Sequence, residues 1–391
     1  MKITDVKTFI VGTKKENLRR PHRGGLNWIF LKLLTDEGIH GWGECSAMPR
    51  YREHTCVQLI KELGKHFIVN KMNPFDIEKL WDKLYGGTAV FRHPGTLSTQ
   101  IVGAYEMACW DIIGKALNQP IYNLLGGKFN EKLRSYTYLS MVSDAWLPGD
   151  LAEEAGPKVA KLVKQGFTGV KLDPIPPSVP QPREISLSEL DYSEAVIKSI
   201  REAVGNKCDI LIGTHGQLTT HSAIRLAKRL EKYEPLWFEE PVPGENMDEM
   251  ARVARATSIP IATGERLATK WDFRRLLEKQ AAQIIQISVG LNGILEAKKI
   301  AGMAEAYYAQ IAPWMYCGPV AGVANIQLDV CSPNFLIQEG IETWGGFYAE
   351  ILKEPIRWEK GYIIPPTGPG LGVELDEAVI ADNPYIDPST I

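Results

Sequence analysis

The sequence predicts an α/β protein, namely a modified (β/α)8 TIM-type barrel that carries an α+β capping domain. From about residue 135 onward, eight short apolar runs follow one another at intervals of roughly 25–40 residues. Amphipathic helical stretches separate the runs, and eight strand–helix units in series are typical of a closed barrel. No Gly-x-Gly-x-x-Gly pattern follows any of the runs, which disfavours an open doubly wound sheet.

The first part of the chain mixes strand and helix patterns. Residues 28–44 contain two apolar runs around an Asp-Glu-Gly turn, which is typical of a β-hairpin. Helical periodicity then recurs over residues 53–68, 75–85 and 97–117. We therefore predict an N-terminal α+β capping domain over residues 1–126.

The remainder of the chain divides into the barrel and a tail. The predicted strands begin, in chain order, at Tyr136, Gly169, Asp209, Leu236, Ile259, Ile284, Ala309 and Phe335. Helical stretches between them include 151–165, 192–204, 219–232 and 293–307. Residues 127–355 are assigned to the barrel on this basis. Residues 356–391 are rich in proline and glycine, and we expect them to leave the barrel and pack back on the capping domain.

Composition narrows the class of protein. A net charge of -3 gives no electrostatic reason to bind nucleic acid or an anionic membrane. The 6 cysteines show no Cys-x-x-Cys spacing, which favours free thiols in a reducing compartment and argues against structural zinc. No apolar segment has the length of a membrane span or the pattern of a signal peptide. We therefore expect a cytoplasmic protein.

The residues at the ends of the predicted strands are the candidates for a site, because the C-terminal ends of barrel strands face one common mouth. In strand order they are Lys171, Asp173, Gly213, His215, Glu239, Glu240, Glu265, Arg266, Ser288, Trp314, Tyr316 and Glu339. Glu239 and Glu265 end adjacent strands, which suits a hard divalent cation with oxygen ligands. Lys171 could remove a proton next to a substrate carboxylate if its pKa were lowered. All 7 histidines lie at or before His221, which excludes any mechanism that needs a histidine beyond that residue.

Several motifs carry a resemblance that runs nearly from end to end. They are Thr35-Asp-Glu-Gly, Gly41-Trp-Gly-Glu, Ala104-Tyr-Glu-Met-Ala-Cys-Trp-Asp, Gly166-Phe-Thr-Gly-Val-Lys171, Phe238-Glu-Glu-Pro241, Gly264-Glu-Arg266 and Gln338-Glu. With these motifs the chain resembles the mandelate racemase subgroup of the enolase superfamily. Within that subgroup it is most similar to acid-sugar dehydratases such as galactonate dehydratase.

The resemblance implies a fold, a cofactor and roles for particular residues. Members place a capping domain, formed from both chain ends, on a modified barrel, and they bind Mg²⁺ through three carboxylates. Glu239 and Glu265 match the second and third metal ligands, and Glu339 matches a glutamate that contacts the substrate. Lys171 matches a second-strand lysine, and His215 matches the histidine that protonates the departing hydroxyl. Homo-oligomers are also implied.

The chain departs from the family pattern at four strand ends. Gly213 stands where the first metal ligand is an aspartate, so one carboxylate of the site is missing. Ser288 and Trp314 replace the aspartate and histidine of the usual base dyad, and Asp173 replaces a second lysine. These replacements leave Lys171 and His215 as the predicted catalytic residues.

Because one metal ligand is missing, the sequence allows several alternatives for the bound metal. Residues 213 and 215 share a strand face, and so do 171 and 173, because side chains alternate along a strand. Asp173 in the vacant position would keep an all-oxygen Mg²⁺ site, whereas His215 there would favour Mn²⁺, Fe²⁺ or Zn²⁺. Water could also fill the position, or the barrel could hold no metal.

Simpler structural interpretations accompany each of these assignments. Glu239 and Glu265 could be salt-bridge partners at strand ends, and Lys171 could only neutralise them. His215 could be a structural histidine, and Asp173 a turn cap before Pro174.

The predicted substrate-binding residues are Asp173, Trp314, Tyr316, Glu339, Arg20 and His22. The last two belong to a basic cluster that is either a solvated loop or an anion-binding part of the capping domain.

The predicted function is a lyase-type dehydratase acting on a small hydroxy-carboxylate, such as a sugar acid. Lys171 would remove the proton next to the carboxylate and His215 would protonate the hydroxyl that leaves as water. An isomerase, cycloisomerase or racemase of the same substrate class is the alternative enzyme. A metal-free barrel that binds a small carboxylate without chemistry is the alternative from another class.

Overall fold

The structure is a computed structural model that describes residues 1–13, 25–45, 52–86, 95–139, 151–175 and 181–390. It divides into a capping domain, a barrel and a C-terminal segment. The predicted residues Arg20 and His22 lie outside the described residues. Across the described ranges, no helix has the length and apolarity that a bilayer crossing requires.

The capping domain joins a small sheet to several helices. Its antiparallel sheet has the order β1 (Ile3–Gly12), β2 (Asn27–Thr35) and β3 (His40–Cys45). The helices described in this domain are α1 (Glu53–Leu63), α2 (Ile77–Trp81), α3 (Thr96–Leu117) and α4 (Ile121–Leu124). Short π-helical turns, Gly64–Ile68 and Asp82–Gly86, extend the first two. The predicted hairpin is thus β2 and β3.

Helix α3 lies directly against strand β3, and two glycines make this approach possible. A Cβ atom on Gly41 would collide with the carbonyl oxygen of Ala108, and one on Gly43 with that of Ala104. Neither position therefore accepts a side chain while the helix keeps its place. The motif Gly41-Trp-Gly-Glu is explained by this contact between sheet and helix.

The barrel contains the eight predicted strands in a parallel arrangement. They are β4 (Leu133–Tyr138), β5 (Gly169–Leu172), β6 (Asp209–Gly213), β7 (Trp237–Glu239), β8 (Ile261–Thr263), β9 (Ile284–Ile285), β10 (Gln310–Ile311) and β11 (Gln338–Glu339). Strands β4 to β10 pair in chain order, and β11 pairs with β4. A parallel bridge between Ile311 and Phe335 joins the last two strands and closes the barrel. The fold predicted from the sequence is confirmed.

Helices cover the outside of the barrel. They are α5 (Leu151–Gln165), α6 (Leu187–Val204), α7 (Thr220–Leu230), α8 (Met247–Ala256), α9 (Thr269–Glu278), α10 (Val289–Asn292), α11 (Ile294–Ala306), α12 (Pro319–Val330) and α13 (Phe347–Glu350). The inside of the barrel is filled by a cluster of buried side chains, as expected for eight strands: Tyr136, Leu211, Trp237, Ala262, Ile284, Ala312 and Ile337. The barrel is therefore a packed core with a site at one end.

The C-terminal segment contacts both other parts. It contains β12 (Arg357–Glu359), β13 (Tyr362–Ile364) and α14 (Glu377–Asp382), and β13 pairs antiparallel with the start of β4. The Leu371 N–H donates to the buried carboxylate of Asp111 on α3 (2.9 Å), which also accepts from the Trp42 N–H (2.9 Å). Glu374 forms an ion pair with Lys115 (2.5 Å).

Two buried glutamates of the capping domain hold it on the barrel. Glu44, at the end of β3, accepts hydrogen bonds from the N–H groups of Gly318 (2.5 Å) and Ala321 (2.9 Å) at the start of α12. Glu106, on α3, accepts from the N–H groups of Ile294 (2.6 Å) and Leu295 (2.7 Å) at the start of α11. The first N–H groups of a helix lack partners within the helix and favour a negative charge, so each glutamate satisfies a barrel helix.

The ion pair of Glu374 predicts how stability depends on pH. Partial burial opposes ionisation, but the hydrogen bond from His40 and the charge of Lys115 lower the pKa of Glu374 from 4.5 to about 2. That shift corresponds to at most ~3 kcal/mol. One third of the side chain is exposed, so we expect a contribution of about 1–2 kcal/mol. Because the pKa is depressed, this contribution is present above pH 4.5 and is lost as the pH falls toward 2.

The measurement compares the wild type with Glu374→Gln by denaturant unfolding across this pH range. We expect the variant to be less stable than the wild type at neutral pH. The difference in unfolding free energy should begin to shrink below pH 4.5 and should vanish as the pH falls through the folded-state pKa of about 2. Glu305→Gln, which changes an exposed carboxylate on α11, is the matched control. A stability difference that stays constant down to low pH would show that Glu374 acts through packing alone.

Candidate active site

A buried ion pair forms the base of the site. The Lys171 ammonium on β5 contacts the Oε1 atom of Glu239 on β7, and both side chains are 2% exposed. The pair spans β6, where Gly213 lies between them and is the register partner of Glu239. Burying either charge alone would be costly, so the two groups depend on each other.

The second oxygen of Glu239 is also held by donors. Its Oε2 atom accepts hydrogen bonds from Trp237 Nε1 (3.1 Å) and from Gln286 Nε2 (2.7 Å). Neither residue was predicted from the sequence. Trp237 lies two positions before Glu239, and Gln286 lies two positions before Ser288. Because alternate residues of a strand share a face, both could be predicted to point to the same side as these strand-end candidates.

The second glutamate of the Phe238-Glu-Glu-Pro motif has a structural partner. Glu240 accepts from Arg266 Nε at 2.9 Å, and its side chain is almost completely buried. Thr214 Oγ1 donates to the carbonyl oxygens of both Glu239 and Glu240, each at 2.8 Å. The motifs that end β7 and β8 are therefore joined by an ion pair, and Glu265 is left with a buried Oε2 atom that has no hydrogen-bond partner.

Gly213 provides the space that two neighbouring side chains use. A Cβ atom on this residue would clash with Asp173 Oδ1 and would lie 3.0 Å from Lys171 Cε. The carboxylate of Asp173 thus lies where a side chain from β6 would begin. Its Oδ1 atom is buried and has no hydrogen-bond partner.

The other oxygen of Asp173 holds His215. The distance from His215 Nδ1 to Asp173 Oδ2 is 2.9 Å. His215 follows β6 with a left-handed backbone (φ 52°), and its side chain is 40% exposed. Partial desolvation opposes its charge, but the hydrogen bond to Asp173 raises the pKa of His215 to about 9. Tyr138, at the end of β4, also hydrogen-bonds Asp173. The predicted strand-end candidates begin with the second barrel strand and therefore do not include it.

The far side of the site is formed by the last two strands. The Met315 N–H donates to Glu339 Oε2 at 2.7 Å, which ties β11 to the segment after β10. Trp314 and Tyr316 flank Met315, and their ring centroids are 6.3 Å apart. The three predicted substrate-binding residues of this side are therefore brought together.

The charges of the site are unbalanced. Burial lowers the pKa of Lys171, but the negative charges of Glu239, Glu339 and Glu265 outweigh it and raise that pKa well above its ordinary value. Burial, followed by the nearby charge of Glu240, raises the pKa of Glu265 to about 8. Burial likewise raises the pKa of Glu339. The acids therefore exceed the cations that face them.

The fold and site define the chain as a barrel enzyme whose strand ends present carboxylates, a lysine and a histidine to one mouth. The comparisons agree. Residues 6–126 match the family profile for the mandelate racemase/muconate lactonizing enzyme N-terminal domain, and residues 152–379 match the enolase C-terminal domain-like profile. The chain therefore belongs to the mandelate racemase/muconate lactonizing enzyme family of the enolase superfamily.

Solved structures give the same assignment. A Labrenzia alexandrii DFL-11 protein, provisionally named a mandelate racemase/muconate lactonizing enzyme, is 49% identical, with a TM-score of 0.92 over 99% of this chain and 96% of that chain. A mandelate racemase/muconate lactonizing enzyme-like protein from Roseovarius sp. TM1035 is 40% identical, with a TM-score of 0.90 and coverage of 99% and 96%. A Salmonella Typhimurium protein, provisionally named a dehydratase, is 33% identical, with a TM-score of 0.88 and coverage of 98% and 99%.

The close packing around Gly213 predicts the effect of adding one methyl group. Gly213→Ala would push the Asp173 carboxylate away from His215, and we expect it to lower the free energy of unfolding by about 1–3 kcal/mol. Gly302→Ala is the matched control, because a Cβ atom there meets nothing within 4 Å and the residue lies in α11. The control should be neutral or stabilising by up to about 1 kcal/mol. Equal unfolding free energies for both variants would contradict the packing.

Proposed function

We propose that this enzyme removes the proton next to the carboxylate of a small hydroxy acid, such as a sugar acid, and expels water from the neighbouring carbon. The observation that carries the proposal is the convergence of Lys171 and the His215–Asp173 pair on the space beside Gly213. Two proton-carrying side chains on adjacent strands are what such an elimination needs, one as base and one as acid. The dehydratase name of the Salmonella relative supports this reaction class.

Members of the family typically use Mg²⁺, and we propose a divalent cation here, held by Glu239 and Glu265. When bound, such a cation stabilises the negative charge that develops on the substrate carboxylate. The unpartnered Oε2 atom of Glu265 is consistent with this, since a buried carboxylate oxygen without a donor is costly. Among the described residues, no three His, Cys, Asp or Glu side chains lie close enough to hold a metal ion as they stand.

Lys171 is the proposed base. With Glu239, Glu265 and Glu339 around it, its raised pKa keeps the proton on the ammonium group. Pairing of these acids with a further cation would lower the pKa of Lys171 and would allow it to act as the base. The ion pair with Glu239 also fixes the position of the Lys171 Nζ atom, so Glu239 orients the proposed base.

His215 is the proposed acid. A pKa of about 9 keeps the imidazole protonated near neutral pH, and Asp173 orients the ring through Nδ1. A histidine that carries a proton and is 40% exposed at the mouth can donate it to a departing hydroxyl.

Glu339, Trp314 and Tyr316 are proposed to contact the substrate from the opposite side. The cytoplasmic location and the homo-oligomer stay predictions.

Deuterium exchange separates the two roles. Aldonic and aldaric acids are incubated with the enzyme in D₂O, and mass spectrometry follows both exchange at the α carbon and loss of water. Lys171→Arg keeps the positive charge beside Glu239 but cannot release a proton, so both signals should fall by about 10²–10⁴-fold. His215→Gln should slow the loss of water by a similar factor while exchange continues.

The control is Glu245→Gln, which removes an exposed carboxylate in the loop after β7 and should leave both rates unchanged. Thermal melts establish that each variant is folded. Loss of water at the wild-type rate in Lys171→Arg would overturn the assignment of the base. Exchange with no loss of water in the wild type would point to an isomerase or racemase. Binding of an acid with neither signal would point to a barrel without chemistry.

A further inference from the structure

Tyr138 touches both the proposed base and the carboxylate that orients the proposed acid. It is the last residue of β4 and the register partner of Lys171 on β5. Paired residues of neighbouring strands leave the sheet on the same face, so the side chain of Tyr138 lies beside that of Lys171. Asp173, two residues further along the chain, follows on the same side.

The aromatic ring of Tyr138 faces the ammonium group of Lys171. The Nζ atom lies 5.6 Å from the ring centroid. An ammonium group within roughly 6 Å of an aromatic centroid is attracted by the negative charge of the ring face. The same ammonium group contacts Glu239 Oε1. Lys171 is therefore held by an aromatic ring as well as by a carboxylate.

The hydroxyl group of Tyr138 reaches the carboxylate of Asp173. Burial, followed by the charge of Asp173, raises the pKa of Tyr138 well above its ordinary value. The phenol therefore keeps its proton near neutral pH and is the donor in its hydrogen bond with Asp173. His215 Nδ1 lies 2.9 Å from the same carboxylate. The carboxylate that orients His215 is thus contacted from β4 and from the segment after β6.

This carboxylate needs hydrogen bonds to fix its orientation, because β6 offers no side chain against it. The neighbouring residue of β6 is Gly213, and Asp173 Oδ1 occupies the place where a Cβ atom would lie. His215 is 40% exposed and depends on Asp173 for its own orientation, so it cannot fix the carboxylate alone. Tyr138 is carried by a barrel strand and has its ring against Lys171, so it is the partner that can hold the carboxylate in place.

We propose that Tyr138 is a positioning residue for both proton transfers, its ring confining the Lys171 ammonium group and its hydroxyl group fixing Asp173 and thereby His215. This inference rests on the proposed function for the roles of Lys171 and His215. It assigns the two parts of one side chain to different steps. The ring acts on removal of the α proton, and the hydroxyl group acts on loss of water.

Two substitutions separate these tasks in the D₂O assay with aldonic and aldaric acids. Tyr138→Phe keeps the ring and removes the donor to Asp173, so loss of water should fall by about tenfold while exchange at the α carbon stays within about twofold of the wild type. Tyr138→Leu removes the ring as well, so exchange should also fall, by about fivefold.

Tyr136→Phe is the matched control. It removes a hydroxyl group from the same strand, two positions earlier, and the Tyr136 Oη atom is buried without a hydrogen-bond partner among the described residues. Both rates should therefore equal those of the wild type. Thermal melts establish that each variant is folded, and Tyr138→Phe tests the hydroxyl group even if Tyr138→Leu does not fold.

A second measurement does not depend on turnover. Nuclear magnetic resonance of protein labelled with ¹⁵N-histidine follows the downfield proton signal of an Nδ1–H group that is held by a carboxylate. His215→Gln identifies the His215 signal by its disappearance. In Tyr138→Phe we expect this signal to broaden or vanish, because a carboxylate that can turn away lets the N–H group exchange with water. Tyr136→Phe should keep the signal.

Four results would overturn the proposal. The first two concern the His215 signal, which would be absent from the folded wild type or unchanged in Tyr138→Phe. The third is loss of water at the wild-type rate in Tyr138→Phe, and the fourth is exchange at the wild-type rate in folded Tyr138→Leu. A wild type that neither exchanges nor loses water would overturn the proposed reaction, and the His215 signal would still decide whether Tyr138 holds the pair of Asp173 and His215.

Discussion

The contact between Lys171 and Glu239 is the constraint on which the site depends. A barrel core has a low dielectric, so an ammonium group and a carboxylate placed there must neutralise each other or lose their charges. The other donors to Glu239, from Trp237 and Gln286, then fix the carboxylate so that it cannot turn away. Once this pair is set, the positions of the residues two places further along β5 and β6 follow from the alternation of side chains.

The space left by the missing side chain at Gly213 is occupied by its neighbours on β5. Lys171 and Asp173 leave β5 on the same face, and the absence of a side chain at Gly213 lets both lean across β6. Asp173 in turn holds His215, which lies in the left-handed turn after the strand. The proposed base and the proposed acid therefore lie at the ends of two adjacent strands. The opposite side, with Trp314 and Tyr316, contributes aromatic surface.

The sequence was sufficient to predict the eight barrel strands, because each is a compact apolar run between amphipathic helices. It was less accurate at helix ends: α6 begins at Leu187 and not near 192, because Ser186 and Glu189 form a capping box. In the site, strand-end positions identified Lys171, Glu239 and Glu265. Alternation shows that Asp173 faces the same side as Lys171, but no sequence pattern gives the distance between two side chains on different strands. The closeness of Asp173 to Gly213, and the donors Trp237 and Gln286, required coordinates.

The docking of the capping domain has a consequence for how such enzymes diversify. Glu44 and Glu106 are received by backbone N–H groups at the start of α12 and α11, and these groups are present whatever side chains the helices carry. Substitutions on the barrel surface under the cap therefore leave these hydrogen bonds in place, so the attachment tolerates sequence change at α11 and α12. The close approach of Gly103 on α3 to Gly290 is the opposite case, because a side chain at Gly103 would crowd the Gly290 carbonyl oxygen, which lies 3.1 Å from the position of its Cβ atom.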